Sequence, residues 1–223
     1  MILREIVDRL IRSVSGGNDP SGSKYDPVYV ESIIPSLREK AIKAEYNGTK
    51  VTTATKRVDY AWLNPAFTVT REPAVVTTDF VTFNVPKPLS INKAVDGFIY
   101  VGKENESVSF KKLTSREEAA IYTERGFFRN GKDIGYLWQQ PNLEVYGNNA
   151  LLEVQVRAIL SNPLDAPNFD PEVDEYPVTE SVLSLMVQLF KEEMNINVNK
   201  PADTILDNAD TLNKAAISQN TRA

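Results

Sequence analysis

Apolar residues recur along this chain with two different periods, and the change of period divides it. Near the start, Leu3, Ile6, Val7, Leu10, Ile11 and Val14 keep the spacing of one helix face. A glycine- and serine-rich stretch, Ser15 to Ser23, breaks that helix as a turn or linker. Asp26-Pro27 then makes a good helix start, because Asp caps orphan N–H groups and Pro loses nothing at the first helical position. The spacing predicts a helix from there to Tyr46, closed by Asn47-Gly48, with Tyr29, Val30, Ile33, Ile34, Leu37, Ala41 and Ile42 on its buried face. Pro35 lies inside it and predicts a kink or a split.

From Lys50 to Pro163 the pattern becomes short β-rich segments separated by Pro and Gly. Strands are expected at 50–55, 74–85, 97–101, 107–111, 143–146 and 151–160. The last alternates cleanly, with Leu152, Val154, Val156 and Ala158 on one face. Asn148-Asn149 before it reads as a hairpin turn back to 143–146. Residues 60–73, with Trp62, Pro65 and Phe67, read as an ordered loop whose aromatics serve packing, and Asn130-Gly131 reads as a turn. Ser161 to Pro177 holds four prolines and five acids and is expected to be an extended connector.

Val178 to Met194 returns to the helical period. Val182, Leu183, Leu185, Met186, Val187, Leu189 and Phe190 make it apolar nearly all round, so it needs cover on several sides, from its own subunit or a neighbour. The fold class expected is α+β: N-terminal helices (1–48), a central, mostly antiparallel β domain with one short helix (49–165), and an acidic connector, C-terminal helix and extended arm (166–223).

The densest block is Lys87 to Arg125. Gly97-Phe98-Ile99-Tyr100-Val101-Gly102 and Ser107-Val108-Ser109-Phe110 read as a hairpin around a polar loop at 103–106. Thr114-Ser115-Arg116-Glu117-Glu118 then places hydroxyls before acids, which suits a helix N-terminus.

In this order, KPLSIN, GFIYVG, VSFKKLTSREEA, LLEVQVRAILSNP and YPVTESVLSLMVQLFKEEM resemble ring-forming structural proteins of the head-tail connector in crAss-like tailed bacteriophages. The resemblance covers roughly 26–213 and rests on packing signatures. It implies a subunit of a cyclic homo-oligomeric ring, a dodecamer in that class of assembly, built into a virion in the host cytoplasm. Its partners would be the portal protein and other connector or tail ring proteins, with DNA passing through the ring unread. The interface residues expected are Val182, Leu185, Met186, Leu189 and Phe190 on the C-terminal helix, with Ile205, Leu206 and Leu212 as anchors of a docking arm.

The residues themselves suggest no chemistry. The chain has neither cysteine nor histidine, which removes thiolate nucleophiles, disulfides, Cys/His zinc sites and the commonest acid–base side chain. No phosphate-binding glycine loop or nucleophile elbow occurs, and the acids at 170–175 and 203–210 lack the spacing of a calcium loop. Glu117-Glu118 and Glu124 could be read as an acid–base pair, but neighbours on a helix do not face each other, and helix-end electrostatics explains the first two more simply. No catalytic, cofactor-binding or metal site is expected, nor a membrane span. The 42% hydrophobic content allows a real core, and the lack of an apolar run of 18 or more, with Arg4, Glu5, Asp8, Arg9 and Arg12 through Met1 to Val14, leads to the expectation of a soluble, unexported protein.

The net charge of −5 is concentrated at the end, where residues 161–223 hold four Lys/Arg against eleven Asp/Glu. Phosphate contact needs cations, so sequence-specific nucleic-acid binding is disfavoured there. The reading from a different class is a soluble β-rich module recognising carbohydrate or a host protein, which would keep aromatics in a concave patch. A carboxylate-based hydrolase is a third, for which no positioned pair is evident.

Overall fold

A computed structural model describes residues 1–16, 25–48, 62–71, 80–91, 97–104, 109–124 and 134–198, with the side chains of 195–198 left aside. The chain is α+β, with helices at both ends around two sheets. Its elements are α1 (Leu3–Val14), α2 (Pro27–Gly48), β1 (Phe67–Thr70), β2 (Phe80–Asn84), β3 (Phe98–Gly102), β4 (Lys111–Lys112), α3 (Arg116–Glu124), β5 (Gly135–Gln139), β6 (Asn142–Tyr146), β7 (Glu153–Ala158) and α4 (Glu180–Val198).

The amphipathic spacing of α1 works within its own chain. Leu3, Ile6, Val7, Leu10 and Ile11 are buried against α2 and α4 in one apolar cluster. Asp26 starts α2 as expected, its carboxylate accepting from the Val28 amide at 3.0 Å. The helix runs unbroken through Pro35, because Ile34, Leu37, Ala41 and Ile42 on either side are anchored in the same core. Burying each such side chain stabilises by about 1.5–3 kcal/mol, enough together to offset the roughly 3 kcal/mol a helix-interior proline costs. Tyr29, expected inside, is exposed, and Ile33 is half-buried. The buried stripe of α2 is narrower than its apolar sequence.

Among the described residues seven strands form two sheets, in the orders β1-β7-β3 and β2-β6-β5-β4. Their inner faces share one core, where Phe98 of the first sheet meets Tyr136 and Trp138 of the second at ring-centroid distances of 6.0 and 5.4 Å. Val154, Val156 and Ala158 point inward from β7 as their alternation predicts, whereas Leu152 precedes the strand and is exposed.

Neither expected hairpin appears as a strand pair among the described residues. β3 pairs antiparallel with β7, and among the described residues the chain after it meets β3 at Val101, whose carbonyl accepts from the Phe110 amide (2.6 Å) and the Ser109 hydroxyl (3.1 Å). It then crosses to the second sheet, where β4 pairs parallel with β5 and α3 forms the crossover. Likewise β6 and β7 lie in different sheets. Gly147 adopts φ 95°, and the Asn148 side chain accepts from the Ala150 amide, so this turn carries the chain between sheets instead of folding it back. The tight hairpin is β5–β6, through a cis Gln140-Pro141 bond. Phe67 to Thr70, read as loop, is a strand paired with β7.

Ser161 to Pro177 is folded back on itself rather than extended. Asn162 and Asp170 side chains cap successive turns, a short 3-10 turn spans Pro163–Asp165, and the Tyr176 amide donates to the Met1 carbonyl at 2.9 Å. Beyond it, Thr179 caps α4 through the Val182 amide (3.1 Å). The expected strand at 50–55, most of the linker at 15–23, the first part of the strand at 74–85, the Asn130-Gly131 turn and residues 199–223 lie outside the described residues.

Candidate functional site

Two arrangements of polar side chains stand out, and α4 carries the expected interface. Val182, Met186 and Phe190 of that interface are fully buried in the chain's own core with Leu183, packed against α1 and α2. Leu185 and Leu189 sit half-buried at the flank of that face, while Ser184, Gln188, Lys191 and Glu192 form an exposed polar stripe. α4 is thus amphipathic with a broad apolar face, and most of its cover comes from within the subunit. Ile205, Leu206 and Leu212 lie outside the described residues.

The first polar arrangement centres on Arg38, which is completely buried on the apolar stripe of α2. Its guanidinium donates from Nε to the Pro177 carbonyl (2.9 Å), from Nη1 to the Leu160 carbonyl (2.8 Å) and from Nη2 to the Trp62 carbonyl (2.6 Å). Three remote segments are tied to one helix by one side chain. Burial lowers its pKa to about 10, against the opposing influence of Tyr176, whose ring centroid is 6.0 Å from Cζ. The Tyr176 phenol is pushed up, by desolvation above all.

Beside this clamp the backbone is knitted closely. The Leu89 amide donates to the Ile159 carbonyl (2.7 Å), the Ile159 amide to the Gly97 carbonyl (2.8 Å) and the Ser161 amide to the Lys87 carbonyl (3.0 Å). Pro88 and Leu160 form an isolated bridge between the same stretches.

The second arrangement lies on the outer face of the sheet β2-β6-β5-β4. Phe80 and Thr82 on β2 stand opposite Tyr146 and Glu144 on β6. α3 covers this face through Ala119, which packs with Leu113, Leu137 and Tyr146. Ser115 caps α3 by accepting from the Glu118 amide (3.1 Å), and the Glu118 carboxylate accepts from the Thr114 amide and hydroxyl (2.8 and 2.7 Å). These hydrogen bonds hold the Glu118 pKa below the usual carboxylate range, and the Glu117 backbone amide and Ser115 do the same for Glu117.

The cap directs Arg116 over the sheet. Its Nε and Nη2 both donate to the buried carboxylate of Glu144, which also accepts from the Tyr146 hydroxyl at 2.7 Å. Desolvation, then the bond to Glu144, raises the Tyr146 pKa, and the pairing with Glu144 raises that of Arg116. Phe80, Arg116, Ala120, Thr123, Glu124 and Tyr146 line a shallow groove above this pair.

Neither arrangement was expected from sequence. For Arg38 a signal existed, since it falls between Leu37 and Ala41 on a stripe otherwise apolar. Glu144 gave none, because a charged residue alternating with Leu143 and Val145 reads as a wet sheet face until α3 is known to cover it. Among the acids at 170–175, Asp170 accepts from the Glu172 amide, Asp174 from the Asp170 amide, and Glu175 pairs with the N-terminal ammonium at 3.4 Å. Among the described residues no group of three potential metal ligands is assembled, and no helix is long and apolar enough to cross a membrane. Compared with protein-family models and with curated proteins, the chain matches none.

Proposed function

We propose that this chain is a non-enzymatic structural subunit of a cyclic ring in the head-to-tail connector of a tailed phage. In this reading it assembles with further copies of itself, in the dodecameric number that the resemblance implies, and stacks against the portal protein and neighbouring ring proteins of the virion.

One observation carries the reading. Four of the five stretches that resemble connector ring proteins meet at one junction: backbone hydrogen bonds join Leu89 and Gly97 to Ile159 and Lys87 to Ser161, and Arg38 closes it through the Leu160 and Pro177 carbonyls. What those stretches share is a way of fastening a helical layer to a β core, and a subunit loaded through its neighbours needs such a frame.

Among the described residues, surfaces open to neighbours include the α4 flank at Leu185 and Leu189 and the exposed Val28 and Tyr29 at the start of α2, and in this reading the docking arm would add Ile205, Leu206 and Leu212.

Light scattering of the purified chain, alone and with portal protein, tests this. A discrete large oligomer or a stoichiometric portal complex is expected. Leu185→Asp combined with Leu189→Asp should retain the helical signal and lose the assembly. A chain that stays monomeric in both settings, or a double variant that assembles normally, would count against the reading.

A further inference from the structure

We propose that α1 is exchanged between copies of this chain, each subunit seating its α1 in the groove between α2 and α4 of the next. The inference rests on the ring reading above and names how neighbouring copies hold one another.

α1 is a separable element. Its buried residues, Leu3, Ile6, Val7, Leu10 and Ile11, belong to the apolar cluster of the helical layer, and its main contacts are with α2 and α4. Its polar fastenings go to α4 and the turn before it: the Arg9 guanidinium pairs with the Glu180 carboxylate (3.2 Å), and the Met1 carbonyl accepts from the Tyr176 amide (2.9 Å). Every copy carries the same groove. An α1 arriving from a neighbour would make all of these contacts again, so exchange sacrifices none of them.

The connection from α1 to α2 is longer than packing within one subunit requires. Met1 meets Glu175 and Arg9 meets Glu180, so α1 advances along α4 in its direction, whereas Ser181 bonds Glu45 and Tyr25 packs on Phe190, so α2 runs the opposite way. The end of α1 and the start of α2 therefore lie at the same end of the helical layer. Packed helices stand about 8–10 Å apart, and antiparallel neighbours are commonly joined by about 2–8 residues. Here twelve, Ser15 to Asp26, join Val14 to Pro27, with Gly16, Gly17 and Gly22 among them. Fully extended, a chain of that length reaches about 40 Å, enough to cross to an adjacent subunit.

Exposed apolar residues mark the place where exchange brings two copies together. Val28 and Tyr29, 73% and 45% exposed, stand at the start of α2, where the connection arrives. A subunit that takes in a neighbour's α1 draws that neighbour's chain to this point, and burying the pair supplies a contact the closed subunit lacks. This contact decides the matter, because those of α1 itself are equal in both forms and the tether alone favours its own groove.

The chain has no cysteine, so two introduced thiols report directly which groove α1 occupies. Arg9→Cys and Glu180→Cys, both at exposed positions, are joined by a short bismaleimide in the assembled full chain, and the products are separated under denaturing conditions. Exchange predicts covalent multimers from the double variant and monomers from either single one. Removing Asn18 to Ser23 leaves six joining residues, sufficient for two packed helices and too few to reach a neighbour, so the multimers should be lost with thermal unfolding kept. An assembled double variant that gives only intrachain links, or multimers that survive the deletion, would overturn exchange and leave the ring reading standing. A chain that light scattering finds monomeric throughout overturns both. Linked multimers from a chain that forms a closed dimer and no larger assembly would keep exchange and reject the ring.

Discussion

Gly97 and Leu89 approach so closely that a Cβ on the glycine would stand 2.9 Å from both the amide nitrogen and the carbonyl oxygen of Leu89. The Ile159 carbonyl oxygen is nearer still. All three obstacles are backbone atoms, which no side-chain rearrangement can move away. Gly97→Ala should therefore destabilise the chain by about 3 kcal/mol, the upper part of the range for overpacking. Urea unfolding followed by circular dichroism would measure it, and a loss under about 0.5 kcal/mol would show that the junction yields easily.

Removing Arg38 leaves three buried carbonyls without their donor. Arg38→Ala is expected to cost about 3 kcal/mol or more, since each buried acceptor left unsatisfied costs about 1–3 kcal/mol and the cavity adds to it. Arg38→Lys should recover only part, because one ammonium group cannot reproduce a planar fork aimed at three separate carbonyls. Equal stability of the lysine variant and the native chain would contradict the clamp.

Two periods in the sequence were enough to anticipate α1, α2, α4 and the caps of α2 and α3, because those depend on residues a few positions apart. Strand partners depend on residues far apart, and there local signals misled. Asn148-Asn149 is a good turn whichever sheet the chain enters next, and Phe67 to Thr70 became a strand because β7 offered it an edge. The same limit hid the groove: Arg116 and Glu144 are 28 residues apart and meet only through the crossover of α3.

The core of α4 and its flank should respond differently to truncation. Phe190, fully buried and edge-on to Tyr25 at 6.3 Å, should cost about 3–5 kcal/mol on replacement by Ala. Half-buried Leu185 should cost clearly less in the isolated chain. Paired thermal melts of the two variants check the order, and an equal loss would mean that Leu185 is as much a core residue as Phe190.

Protonation should loosen α3 at its start. The folded Glu117 and Glu118 hold their protons less tightly than in an unfolded chain, so their contribution is present above the ordinary carboxylate pKa and is lost as pH falls through their lowered values. Amide exchange in α3 should therefore quicken in acid ahead of the β core. Glu118→Gln should flatten that dependence while leaving Ser115 as a cap, and an unchanged pH profile in this variant would remove the carboxylate from the explanation.

At the alkaline end the sign reverses. Tyr146 and Tyr176 both keep their protons to higher pH than an unfolded phenol would, so their contribution is complete below about pH 10 and declines as pH rises beyond it. An ultraviolet titration of the native chain should show Tyr146 and Tyr176 ionising above the range of a free phenol. Tyr146→Phe and Tyr176→Phe should each remove one of them, and early ionisation of either would mean that its ring is open to solvent.

The distance along the chain between Arg38 and its last acceptor has a consequence for biosynthesis. Pro177 follows Arg38 by 139 residues, and the apolar face of α1 likewise waits for α4. While the chain leaves the ribosome, the first two helices have emerged but lack most of their cover, and the seven described β strands, all before residue 159, can pair before the helical layer closes. A nascent chain released short of α4 would thus present bare helices to other chains, so termination just before Glu180 should damage solubility far more than termination just after Val198.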